Sequence, residues 1–328
     1  MKKLVSVILA LLMTVSMLVA CERQKPQATD TTTTNYVESH SENAELRDKQ
    51  ISKSIAERFL SGIKNKDPQQ LLDTIAAKDA DAYKFLTDLN LESYNIVEEI
   101  EVYSSVMKYV VQLDITESNS DFFPVGRSSW ELEVDYLFRG KVILFKPVGK
   151  DLNRLEFDNQ NKDVNFCADF FELLEPYIIS ASDLNKMVPE IKDADSYNDF
   201  LELMIIFLRR YGLPEENTPA DSVMAEAKKV LGITEIDLQK YNQYHEDDRT
   251  VSTRMTSGIV HCGSLSSREY DPQTKQSAIT LDYYSDSAHL LKGKTVKFIV
   301  KENEDKSFTM LSIEVLYDSD LELTYFIC

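Results

Sequence analysis

The sequence predicts an α+β protein. N-terminal helices pack on an antiparallel sheet, and a helical segment then leads into a second antiparallel β-rich region. Three observations carry this reading. Apolar residues first recur every four positions, at Ile51, Ile55, Phe59 and Ile63, which is the spacing of one helix face. After Leu91 the period changes to strict alternation, which is that of a half-buried strand. The order of helices followed by alternating strands then recurs between residues 151 and 328. With 328 residues and 43% hydrophobic content the chain has material for a substantial core.

The chain opens with Lys2 and Lys3, followed by an uncharged and almost wholly apolar run from Val5 to Ala20. A bilayer-spanning helix needs about 20 apolar residues, so this shorter run reads as a signal segment, residues 1–20. It ends in Leu18-Val19-Ala20-Cys21, which resembles the lipobox of bacterial lipoproteins. The resemblance covers about the first twenty residues. It implies lipidation of Cys21, an extracytoplasmic address and a membrane tie. One acyl chain holds a protein only marginally, whereas the three chains usual in that family anchor it stably. Residues 21–45 contain Thr31-Thr32-Thr33-Thr34 and few large apolar groups, so they are expected to form a disordered tether. As a flexible coil such a tether spans about 25–30 Å.

The first folded region, 46–150, is expected to start with the helix bearing Ile51 to Ile63. Asp67-Pro68-Gln69-Gln70 then reads as a helix start, with an N-cap Asp and Pro at the first helical position. Leu71, Leu72 and Ile75 form its buried face, and Tyr83, Phe85, Leu86 and Leu89 mark a short third helix. A first strand is expected over Ile96–Tyr103. Met107, Tyr109, Val111, Leu113 and Ile115 alternate with polar residues in the next. Trp130, Leu132, Val134, Tyr136 and Phe138 alternate with Glu131, Glu133 and Asp135 in a third. That pattern suggests a sheet with an apolar face on helices and an acidic face in water. Arg139-Gly140-Lys141 marks a turn before a strand over Val142–Phe145. A helix carrying Phe59-Leu60 and Ile63-Lys64, then Lys66-Asp67 leading into Leu71-Leu72, followed by four strands, resembles the NTF2-like or cystatin-like rolls of bacterial lipoproteins. The resemblance implies a roll and leaves activity open, because such domains serve as enzymes, pockets or assembly modules.

The second region, 151–328, divides into a helical part, 152–246, and a β-rich part, 251–328. Phe166, Phe170, Leu173, Leu174 and Tyr177 make one stripe, and Phe200, Leu203, Met204, Phe207 and Leu208 another. Thr218-Pro219-Ala220-Asp221 opens a helix that stops at Gly232, and Thr234 with Asp237 opens a short last one. In the tail, strands are expected around Ile279–Tyr283, Val296–Val300, Phe308–Tyr317 and Leu321–Ile327.

The formal charge is −19, and the leader contributes two lysines and no acid. Such a balance argues against nucleic acid and against adhesion to anionic head groups. The sequence contains no HExxH, phosphate loop or GxSxG elbow. Ser61 to Lys64 and Ser105 to Lys108 both fit SxxK, which shows how little that spacing specifies. The loops Asp158–Asp163 and Asp193–Asp199 offer oxygen ligands. The first lacks the central Gly of a calcium loop and puts Lys162 at a ligand position, so both read as solvated. His261 and Cys262 are adjacent on a strand and are expected to face opposite sides. His289 and His245 remain as groups that the fold could bring to Cys262. Cys262 and Cys328 are either a disulfide or free thiols.

No catalytic, cofactor-binding or metal residue is assigned, and no cofactor is expected; Cys21 is the one site residue. The chain reads as a lipid-anchored, non-enzymatic binding or envelope-interaction module. Its partners are the membrane through Cys21 and an envelope protein, peptide or glycan. Two alternatives stand beside this: an enzyme using carboxylates as acid and base, which needs an inward-facing acid with a raised pKa, and a structural or adhesion module. Replacing Cys21 with Ser is expected to move the protein from the membrane to the soluble fraction without unfolding it, as read by cell fractionation and circular dichroism.

Overall fold

The computed structural model describes residues 34–103, 105–155, 161–177, 191, 193–214, 217–252 and 259–327. Cys21, the leader and the tether up to residue 33 lie outside them. Helix α1 (Thr34–Asn65) begins inside the stretch read as tether, and residues Asp48–Cys328 form one compact unit. On α1 the buried face is Ser52, Ala56, Phe59, Leu60 and Ile63, while Ile51 is 40% exposed. The helix is thus rotated by about one position from the expected stripe, and the Ser52 hydroxyl makes the rotation tolerable by meeting the Tyr109 hydroxyl at 2.9 Å.

Helix α2 (Pro68–Ile75) is capped as its sequence foretells: Asp67 Oδ1 accepts from the Gln70 amide at 3.0 Å. After the single turn α3 (Lys84–Thr87) come β1 (Asn90–Tyr103), β2 (Val106–Glu117), β3 (Gly126–Asp135) and β4 (Lys141–Pro147), an antiparallel meander in that order. β1 starts six residues earlier than expected. The apolar side chains of β2 and β3 face the helices as their alternation requires. Trp130 stacks between Phe123 and Phe145 at 4.8 and 4.9 Å, and Phe59 meets Phe145 edge-on.

In the second half, α4 (Lys162–Leu174) and α5 (Ala194–Arg210) precede two residues of β5 (Thr218–Pro219) and α6 (Ala220–Glu226). The helical turn after α6 ends at Gly232, which is left-handed at φ +68, as a C-cap glycine should be. Short strands β6 (Tyr244–His245) and β7 (Thr250–Val251) join β5. The large sheet has the order β12-β11-β10-β9, with β9 (Gly263–Asp271), β10 (Gln276–Tyr284), β11 (Lys292–Glu302) and β12 (Phe308–Asp318). β9, an edge strand with a mostly exposed face, takes the place expected for Leu321–Ile327. The latter contributes only β13 (Tyr325–Ile327), which pairs with β8 (Ile259–His261). Helices α4 and α5 cover this sheet and close a second core around Phe170, Phe207, Leu281 and Phe298.

The two cores are joined by the β10–β11 loop, Ser285–Leu291. It enters the first half, where Ala288 is fully buried among the residues of that core. The Ser287 amide donates to Ile75 O at 2.7 Å, its hydroxyl to Val142 O at 2.5 Å, and the Phe145 amide donates to Ala288 O at 3.1 Å. Asp286, fully buried, accepts from the Tyr83 hydroxyl at 2.7 Å and from the Leu290 and Leu291 amides at 3.1 and 2.9 Å. The acidic face of the first sheet is accordingly not a wet surface. Glu131 pairs with Lys108 and Lys146, Glu133 with Arg154 at 2.9 Å, and Glu133 and Asp135 are buried. Periodicity alone assigned them to water because the covering chain, around Arg154, lies beyond the first meander.

Asp286→Ala is expected to cost about 3–5 kcal/mol, because it leaves a buried hydroxyl and two amides without an acceptor. Tyr83→Phe removes a single donor and is expected to cost about 1 kcal/mol. Urea denaturation of the two variants checks the ratio.

Candidate functional site

The interior of the first half is filled by the Phe123–Trp130–Phe145 stack. The seam between the halves holds a small cavity of about 160 Å³, lined among others by Arg139, His261, Cys262 and His289. A break at Cys262 between β8 and β9 lets His261 and Cys262 reach this same cavity, against the opposite faces expected of an unbroken strand.

The arrangement does not make a nucleophile. Burial pushes the Cys262 thiol up to about 12, although Arg139 works against it, so the thiolate is scarce at neutral pH. His289 Nδ1 lies 3.1 Å from Ile143 O and Nε2 lies 3.3 Å from Gly263 O, so the one N–H of the neutral ring donates to one of these two backbone carbonyls. Its backbone sits in the left-handed region at φ +59, a conformation that costs a non-glycine residue of order 1 kcal/mol and is held here by those ring contacts. His289 is therefore a staple across the seam. Cys262 and Cys167 are buried free thiols, and Cys328 lies outside the described residues.

The other acidic and SxxK candidates are also committed to structure. Asp163 Oδ2 accepts from Arg268 Nε at 2.9 Å and from the Ser277 hydroxyl at 2.6 Å. Asp193 caps α5 by accepting from the Ser196 amide and hydroxyl. The Ser61 hydroxyl donates to Arg58 O and accepts from Gln70. Among the described residues no group of His, Cys, Asp or Glu is placed to hold a metal ion. No described helix is long and apolar enough to cross a membrane.

A cavity of about 730 Å³ lies at the far end of the second sheet. It is open and mostly apolar. Its wall is built by the start of α4 (Lys162, Asn165, Asp169), the end of α5 (Arg210, Tyr211) and the β11–β12 turn (Asp305 to Phe308). The apolar floor follows from aromatic packing: Phe166 meets Tyr211 edge-on at 4.8 Å and Phe308 at 5.6 Å. Asp169 is pinned at the base, accepting from Arg210 at 2.9 Å and from the Tyr211 hydroxyl at 2.6 Å. Asp305 pairs with Lys229 and Lys306 with Glu302, whereas Lys162 enters no ion pair among the described residues. A second cavity of about 360 Å³ shares Lys162 and Phe308 and continues past Arg268 to Tyr270. The two lie side by side as a groove with aromatic rings along it, and Lys162, without an ion pair among the described residues, stands where they meet. Ligand sites are commonly 300–1,000 Å³ and apolar with a few polar anchors.

Sequence reasoning missed this groove and also missed Glu172. Every acid placed on a strand faces outward or is paired, but Glu172 on α4 is pushed up to about 8 by burial, with Asp169 adding to the shift and Arg210 opposing it. The available signal was a lone acid within Phe170-Phe171-Glu172-Leu173-Leu174. Tyr283, fully buried, stacks on Phe171 at 3.8 Å.

The chain matches no protein-family model and is not detectably similar to any curated protein.

Burial lowers His261 and His289 to about 4, below the ordinary value of 6.5. Both are neutral when folded and take up a proton on unfolding in acid. The stability they provide is complete above pH 6.5 and is lost as the pH falls toward 4. Asp286, raised to about 6 by burial, acts oppositely: its contribution is complete below pH 3.8 and is lost as the pH rises through 6. Glu172, raised to about 8, acts as Asp286 does. The two carboxyls therefore offset the two histidines, and the melting temperature is expected to change little between pH 6.5 and 4.5. In His289→Gln the balance tips, and stability at pH 4.5 should rise relative to pH 6.5 by about 2 kcal/mol. Differential scanning calorimetry across that range decides it.

Proposed function

We propose that the chain is a lipid-anchored extracytoplasmic binding protein whose groove at the α4–α5 end of the second half holds an extended, acidic peptide. The reading rests on one observation: the two cavities share Lys162 and Phe308 in their walls and carry aromatic residues from Tyr211 to Tyr270. An extended peptide rises about 3.3 Å per residue and presents side chains to alternate sides, so ring-lined subsites in series suit it better than a compact metabolite. Lys162 selects a carboxylate because the carboxylates around it already have partners. The Leu18-Val19-Ala20-Cys21 motif supports the address.

Glu172 favours a second reading, that of an enzyme. A carboxyl kept neutral up to about pH 8 is a general acid in waiting, and Asp169, one turn earlier and paired with Arg210, is a carboxylate of different environment. The binding reading stands first because the groove wall includes Asp169 and not Glu172.

Panning a library of eight-residue peptides against the purified chain is expected to enrich acidic residues next to aromatic ones. Lys162→Glu and Phe308→Ala should each weaken the selected peptides about tenfold. If no sequence is enriched, or the selected peptides bind both variants unchanged, the groove is not the site.

A further inference from the structure

Where β11 leaves the seam, its first residues, the end of β12 and the chain leading into β13 line a cavity of about 420 Å³. It lies at the opposite end of β11 from the groove and shares none of the groove's lining residues. Four carboxylates stand in its wall, Glu175, Asp318, Asp320 and Glu322, against one lysine, Lys294. Lys294 donates to Glu175 and lies 3.7 Å from Asp318, so a primary ammonium is already held between two of these acids. Lys78 takes Glu322 from outside the wall, with its Nζ 5.7 Å from the centre of the Tyr325 ring. Asp320 enters no ion pair among the described residues. Its backbone is left-handed, at φ +61, and its amide donates to Asp318 Oδ1 at 3.0 Å.

An acidic wall alone gathers counter-ions without choosing among them. The selective element is His261. It is only 9% exposed, and its Nδ1 is buried without a hydrogen-bond partner. Pairing of β8 with β13 sets His261 opposite Tyr325, and its ring packs against those of Phe171, Tyr283 and Tyr325. The charges that act on the ring are Glu175 and Lys294, both in the cavity wall, which puts the imidazole on the cavity side. A buried polar group left unpaired is costly, and a neutral imidazole has a lone pair to offer an N–H.

We propose that this cavity binds a small organic cation bearing primary ammonium groups, such as a linear diamine or triamine. The carboxylates and the His261 imidazole accept its N–H bonds, and the Tyr325 ring flanks its methylene chain. The volume lies within the range of small-ligand sites. A bare metal ion is the poorer occupant, because no group of His, Cys, Asp or Glu among the described residues is placed to hold one. The site is independent of the acidic-peptide reading, since its charge is of the opposite sign and its walls are separate.

The test is calorimetric titration of the full chain with spermidine, in about 0.15 M salt to screen diffuse attraction. One saturable site per chain is expected. Asp320→Asn keeps a residue suited to left-handed backbone, and His261→Phe keeps the ring packing. Each is expected to weaken binding about fivefold. Glu314→Gln, the same change of charge on an exposed position of β12, should leave binding unchanged. Circular dichroism establishes that each variant is folded; should His261→Phe not fold, Asp320→Asn against Glu314→Gln decides. The proposal is overturned by the absence of saturable heat, by unchanged binding in either folded variant, or by an equal loss in Glu314→Gln, which marks diffuse attraction. Calcium chloride binding more tightly than spermidine, with the same sensitivity to Asp320→Asn, assigns the cavity to a metal and overturns it too.

Discussion

The fold depends on a buried carboxylate at the seam. Asp286 is fully buried in a loop whose own amides, at Leu290 and Leu291, point back at it, and Tyr83 reaches it from the other half. Without these donors a buried charge would cost several kcal/mol; with them it fixes the loop in one conformation before any apolar contact is counted. That fixed loop carries Ala288 into the first core and holds Ser287 against Ile75 and Val142. The two cores need not share a hydrophobic surface for the halves to move as one body, because the linkage is made of directional bonds. Its cost is visible in the upward shift of Asp286 to about 6: these donors do not fully offset complete desolvation.

Close approach at the seam follows from residue choice. Gly263 lies where a Cβ would come within 2.6 Å of Leu155 Cδ1, and the Leu155 amide donates to Gly263 O at 2.9 Å. His289 takes the other side of that carbonyl. Small residues, a left-handed histidine and buried hydroxyls thus replace the aliphatic packing that joins most domain pairs. A seam of this kind tolerates little substitution at its polar members, since each removal strands a partner in a dry environment.

Much of the architecture was legible in the sequence. Strands β2 and β11 obey period two because one face of each packs on helices, whereas β4 is buried on both faces at Val142–Phe145. The Asp67 and Gly232 helix-end signals act locally and are found as read, while the last short helix is capped at Asp237 and not opened at Thr234. What failed was long-range. β9 lacks an apolar face, so its place in the sheet comes from pairing with β10 and could not be seen in Gly263 to Asp271 alone. Ser285-Asp286-Ser287-Ala288-His289 carries no apolar periodicity, and only the Tyr83 hydroxyl as donor and the Val142 and Ile143 carbonyls as acceptors explain its burial. The groove is assembled from two helix ends and one hairpin turn separated by more than a hundred residues, each bland by itself. Glu172 was hidden for the same reason: its environment, and not its neighbours in sequence, sets its proton affinity.

β11 carries the seam and the groove at its two ends. It leaves the seam at Lys292 and ends at Glu302, next to the turn that lines the groove, so at about 3.3 Å per residue some 30 Å of strand separates groove from seam. The directional bonds around Asp286 and the aromatic packing under the groove share no partner across that distance, so a substitution at one end leaves the contacts of the other in place.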